Sequence, residues 1–278
     1  MAYKTILTVT LGATIRAEAL DAAVELARRE GGHLDVLCLG VDRVQVGYYF
    51  DTASPAMLEQ GLARAREEAE AGQAAVQKRL GAEDISWASR AAVVQIGAIA
   101  EVVGLAARYS DLVVLAKPYG GDNEVEEAAV LEAAMFEGHA PVLVMPGGDG
   151  LPLGKKVVAA WNESAEALAA IRAALPILKG ADEVDVAIID PRAHSADQGD
   201  PGAELCRMLA RHGVEVEASV LARTMPRVAD VLMRHAMDEG ADLIVMGAYG
   251  HSRFRESIIG GATRDMLADA RLPVLMAH

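Results

Sequence analysis

Four glycines, Gly247, Gly250, Gly260 and Gly261, share the stretch MGAYGHSRFRESIIGGATRDML at residues 246–267. Three basic side chains, His251, Arg253 and Arg255, lie between them. Glycine lets the backbone take positive φ and lets another molecule approach the main chain. Successive amides in such a bend cradle phosphate oxygens, and cations beside them neutralise a polyphosphate. Gly260 and Gly261 lead into an apolar run that reads as a helix. Its free first-turn amides and dipole favour an anion there. Thr263 falls in that first turn, with a hydroxyl available to the same anion. The spacing is not that of the P-loop, because no Lys follows a glycine, and it is not G-x-G-x-x-G. It is Gly, two residues, Gly, nine residues, Gly, then a small residue.

The element that positions this stretch is the run ADLIVM before it, a strand ending at Met246. Similar runs recur. VVQIGAIAEVVGLAARYSDLVVLAKPYG (93–120) echoes RTMPRVADVLMRHAMDEGADLIVMGAYG (223–250), and HAPVLVMP (139–146) echoes RLPVLMAH (271–278). Residues 3–42 echo 155–191 in the same order. A period of this length marks duplicated domains, not a solenoid. The Gly/Pro-rich PGGDGLPLG reads as a linker. The predicted domains are residues 1–146 and 155–278, joined by 147–154.

Each half alternates short β-branched runs with helical stretches. The second half reads as strands 155–161, 183–190, 215–221, 242–246 and 273–277, with helices 164–178, 201–212, 226–239 and 261–270 between them. The first half reads as strands near 3–10, 34–40, 86–95, 111–116 and 141–145, with a long second helix around 55–81. Strands such as LVVLA and LIVM are unbroken apolar runs, which marks a parallel sheet covered on both faces. The fold class is therefore α/β, with two tandem doubly wound five-stranded parallel sheets. Ligands of such sheets bind beyond the carboxyl ends of the strands, where Gly247 lies.

The formal charge of −14 argues against nucleic acid or an anionic membrane as partner. No apolar run reaches the roughly 20 residues that a membrane span needs. MAYKTILTVT shows no signal-peptide cleavage site, and a cytoplasmic location is expected. Cys38 and Cys206, one per half, read as reduced thiols. The His residues are scattered without ligand spacing, so no protein-built metal site is expected.

With the tandem layout around them, the spaced glycines and the PVLM strand ending resemble the ATP-binding branch of the universal stress protein family, in its two-domain form. The resemblance spans nearly the whole chain and implies the adenine nucleotide α-hydrolase-like fold of that family. It implies that Gly247, Gly250, Gly260, Gly261, Ala262 and Thr263 hold the triphosphate and ribose of ATP, with Mg²⁺ arriving on the nucleotide. It places Trp161 and Asn162 beside the adenosine, Asn162 standing where an Asp is common. It offers Ile188 and Met246 to the adenine. The residue after the third glycine is usually Ser or Thr, and here it is Gly261, which removes one hydroxyl. Plainer readings stand beside these. Asn162 could cap the helix that starts near Ser164, Ile188 could be core, and Arg253 and Arg255 could pair with Glu256 in solvent.

The first half lacks the cradle. Ala116 stands opposite Gly247, Ala128–Leu131 stand opposite Gly260–Thr263, and Asp122, Glu124, Glu126 and Glu127 would repel a phosphate. Residues 1–150 hold 12 basic against 22 acidic side chains, and the remainder 14 against 18. One nucleotide per chain, in the second domain, is expected. In the family the last strands of two domains pair. PVLVM and PVLM could do so within one chain, and a homodimer is a further possibility. Three functions stay open: a nucleotide-dependent regulatory or stress-response protein without catalytic residues, a slow ATPase or nucleotidyl-transfer enzyme, and a scaffold with a vestigial site.

Overall fold

A computed structural model of the chain describes residues 2–44, 55–121, 123–147, 153–191, 200–250 and 261–278. It contains two compact units, Ala2–Ala140 and Pro141–His278.

The first unit holds β1 (Thr5–Leu11), α1 (Ala17–Glu30), β2 (His33–Asp42), α2 (Pro55–Leu80), β3 (Ser86–Gln95), α3 (Ile99–Ala107), β4 (Leu112–Ala116) and α4 (Glu124–Glu132). A π-helical turn, Ala133–Glu137, continues α4. β1 pairs in parallel with β2 and β4, and β2 with β3, so the order is β3-β2-β1-β4. The second unit takes in β5 (Val142–Met145), then β6 (Lys156–Ala160), α5 (Ala165–Leu178), β7 (Glu183–Ile189), α6 (Ala203–Arg211), β8 (Val216–Leu221), α7 (Val228–Asp238), β9 (Leu243–Gly247), α8 (Gly261–Asp269) and β10 (Val274–Ala277). Its order is β5-β10-β9-β6-β7-β8, with every pairing parallel except β5 on β10. That antiparallel pair sets Val144 opposite Val274 and Val142 opposite Met276.

The unbroken apolar runs behave as their composition requires. Leu112 to Val114 of β4 and Leu243 to Val245 of β9 are fully buried, as are all four residues of β5. Helix ends follow local chemistry. α1 begins with Glu18 and finishes with Arg28 and Arg29, each charge opposing the local end of the dipole. It stops at Gly31, in the left-handed region at φ 55°. The duplication also survives in one detail. Asp111, just before β4, accepts the Lys4 and Thr5 amides at 2.7 and 3.0 Å. Asp242, just before β9, accepts the Gly154 and Lys155 amides at 2.9 Å each. In each half one carboxylate ties the start of the first strand to the start of the fourth.

Polar burial is rare. The clearest case joins β7 to α7, where His235 Nε2 lies 2.5 Å from Asp185 Oδ2, with only 3% of the Asp185 side chain exposed. Cys38 is buried and Cys206 partly so, and neither is in a disulfide. Burial pushes both thiols up from their usual range. Among the described residues no helix is long and apolar enough to cross a membrane.

Candidate functional site

The carboxyl ends of β6, β7 and β9 and the starts of α5, α7 and α8 enclose a cleft of about 310 Å³. Its apolar wall comprises Ala187, Ile189, Val228, Leu232 and Met246. Such a wall suits a flat heteroaromatic ring. Trp161 and Asn162 line the end of β6, and Gly247, Tyr249 and Gly250 the end of β9. Gly261, Ala262 and Thr263 come from the first turn of α8.

Eight residues expected at the site therefore converge: Trp161, Asn162, Met246, Gly247, Gly250, Gly261, Ala262 and Thr263. His251, Arg253, Arg255, Glu256 and Gly260 lie outside the described residues. Ile188 is not on the cleft wall. It is buried on the opposite face of β7, against Gly202 at the start of α6. Side chains alternate along a strand, so the cleft takes its neighbours Ala187 and Ile189 instead.

The glycines do different work. A Cβ built on Gly247 would lie 2.4 Å from the Ala167 amide nitrogen, so Gly247 is required by the close approach of α5 to β9. Neither Gly247 nor Gly250 takes positive φ. Tyr249 carries the left-handed turn instead, at φ 61°. Thr263 Oγ1, almost fully buried, accepts the Tyr249 amide at 3.2 Å and so holds that turn to α8. One of its two lone pairs is thereby used, and its own proton remains for an acceptor. Among the described residues nothing lies within 4 Å of a Cβ on Gly261.

Asn162 does not cap α5. Ser164 does, its Oγ accepting the Ala167 amide at 3.1 Å. Asn162 Oδ1 accepts the Ser164 amide at 3.2 Å, which fixes the turn through Glu163 at φ 64°. The Asn162 side-chain NH₂ keeps its two donor hydrogens beyond that bond.

Sequence reasoning missed Glu166. It lines the cleft from the first turn of α5, and its Oε2 would lie 3.1 Å from a Cβ on Gly250. A negative charge thus rests against the glycine stretch. Among the described residues no Lys, Arg or His lines this cleft. An acidic residue at a helix start reads from sequence only as a partner of the dipole, so the signal was present but ambiguous.

The sequence profile of the universal stress protein family matches residues 153–278. The second half is a universal stress protein domain. A universal stress protein of Synechocystis is 33% identical to this chain over 69 residues, a match that spans 25% of this chain and 23% of that protein. The fold likeness runs further. A crystal structure of a universal stress protein from Archaeoglobus fulgidus aligns over 98% of this chain and 95% of its own, at a TM-score of 0.72 and 16% identity. A Pseudomonas aeruginosa protein provisionally assigned to the same family aligns over 99% and 93%, at 0.60 and 20%. Both match across the two halves, as a tandem fold requires.

The first half has two adjoining clefts at the carboxyl ends of β1, β2 and β4, of about 230 and 760 Å³. They share Leu11, Thr14 and Asn123. The acidic residues expected to repel phosphate there are engaged. Glu126 Oε1 accepts from Arg43 Nε at 2.7 Å, and Glu127 Oε1 from Arg16 Nη1 at 2.8 Å. Burial pushes the Glu127 carboxyl up, and Arg16 pulls it part of the way back. Burial also opposes the Arg16 charge. Glu127 and Glu18 outweigh it and hold the guanidinium more firmly protonated than usual. Asp122 lies outside the described residues.

Proposed function

We propose that the universal stress protein domain binds one adenine nucleotide, ATP escorted by Mg²⁺, as a regulatory ligand. One observation carries this reading: eight expected contact residues, drawn from β6, β9 and α8, line a single cleft at the carboxyl ends of parallel strands. Ala187, Ile189, Val228, Leu232 and Met246 would take the base, and the Asn162 amide would meet the sugar or the base edge. The amides from Gly261 onward, with the Thr263 hydroxyl proton, would take the phosphates. Glu166 works against a bare polyphosphate and in favour of one carrying a divalent cation, since Mg²⁺ commonly bridges a carboxylate and phosphate oxygens.

Binding, not turnover, is the role this site suits. Its described lining holds one carboxylate and no His, Lys or Cys, which leaves Glu166 as the sole carboxylate base within it.

Thermal unfolding of the full chain with and without MgATP tests the reading. A ligand at a hundred times its Kd adds about 2.7 kcal/mol to the state that binds it, an upward shift of several degrees for a domain of this size. Calorimetry should give one nucleotide per chain. No shift at millimolar MgATP, or a shift matched by inorganic triphosphate alone, overturns it.

A further inference from the structure

Three hydrogen-bond donors of the kind that hold phosphate converge in the first half, and each already holds an anion. The Gly120 amide, beyond the end of β4, donates to Glu124 Oε1 at 2.6 Å. Arg43, beyond β2, donates through Nε to Glu126 Oε1 at 2.7 Å. Arg16, between β1 and α1, donates through Nη1 to Glu127 Oε1 at 2.8 Å. The three carboxylates all come from the first turn of α4. In topology these are the counterparts of the elements that enclose the cleft of the second half.

We infer that the first half is an anion site of the polyphosphate class that the chain fills with its own carboxylates. Glu126 is only 7% exposed, so it is a built-in counter-charge and not a solvated surface group. The filling is imperfect. Glu127 Oε2 is buried and has no hydrogen-bond partner among the described residues. Clefts wide enough for a small anion adjoin the group. The smaller is lined by Arg16 and Glu127, the larger by Arg43, and both by Asn123. On this account the first half resists nucleotides because its place is taken, not because its donors are missing.

Removing the internal charges should therefore create a demand for an external one. In the full chain, Glu126→Gln with Glu127→Gln keeps the side-chain size and leaves each arginine one peripheral carboxylate, Glu18 for Arg16 and Glu68 for Arg43. Residue-resolved amide hydrogen exchange, with pyrophosphate against chloride at matched ionic strength, reads this half separately from any binding in the other. The expected result is that millimolar pyrophosphate slows exchange of the α4 first turn at least tenfold in the double variant and less than twofold in the unaltered protein. Adding Arg43→Met should abolish the protection. Should the double variant not fold, Glu127→Gln alone is expected to give the same contrast at about threefold. Equal protection of variant and unaltered protein, or none in either variant, overturns the inference.

Discussion

Gly247 and Ala167 stand so close that a Cβ on the glycine would lie 2.4 Å from the Ala167 amide nitrogen, with the Glu166 carbonyl carbon at 2.7 Å. Backbone cannot yield as a side-chain tip can. Gly247→Ala should push α5 off β9 and destabilise the second half by about 1–3 kcal/mol, the range for overpacking. Gly261→Ala meets nothing within 4 Å among the described residues and adds a better helix former, so stability should hold or rise by up to about 1 kcal/mol. The urea unfolding midpoint should fall for Gly247→Ala and stay or rise for Gly261→Ala. On the proposed reading Gly261→Ala also weakens nucleotide binding, by crowding the amides beside it.

Glu166→Gln tests the charge set against Gly250. Without a divalent cation, ATP affinity should rise roughly tenfold, equivalent to about 1.4 kcal/mol. The benefit of adding Mg²⁺ should shrink by a similar factor. Calorimetric titrations of both proteins with Mg²⁺ and with EDTA decide this. A uniform loss of affinity in all conditions would instead assign Glu166 to a neutral hydrogen bond.

Removing His235 should be costly. Asp185 has 3% of its side chain exposed, and its Oδ1 has no hydrogen-bond partner among the described residues. His235→Leu leaves that carboxylate buried without its partner, a change that typically costs about 3–5 kcal/mol. Asp185→Leu combined with His235→Leu should recover most of the loss. A double-mutant cycle from chemical denaturation provides the measurement.

Alkaline conditions should destabilise the first half through Tyr3. Its phenol is buried, and burial followed by the nearby Glu30 charge pushes its pKa far above the usual value. The sign follows from proton counting. Above about pH 10 an unfolded Tyr3 loses its proton while the folded one keeps it. Stability is therefore intact below pH 10 and declines as the pH rises beyond it. Tyr3→Phe should flatten that part of a stability profile taken between pH 9 and 11.

Much of the fold was legible because the physics that sets it is local. Runs such as LVVLA and LIVM can only be strands covered on both faces, and the observed β4 and β9 begin within one residue of the expected positions. The helix expected to start near Ser164 does so, although Ser164 itself and not Asn162 is its cap. The site was legible where it depends on strand ends and illegible where it depends on facing. Ile188 and Ile189 are equally apolar, and only the helix lying on each face of β7 decides which one meets the cleft. Gly247 carries a glycine signal that a ligand and a neighbouring helix would write identically. The pairing of Arg43 with Glu126 joins residues 83 positions apart, and that of Arg16 with Glu127 spans 111. No spacing rule reaches so far, so acidic side chains that read as repulsive proved to be neutralised.

The antiparallel seat of β5 on β10 bears on how the second half can be cut free. A fragment beginning at residue 153, where the family profile begins, would leave the flank of β10 with its amides and carbonyls unclaimed. Two such fragments could claim each other, and the resulting assembly would be a product of the scissors. A fragment beginning at Pro141 keeps that flank of β10 paired with β5.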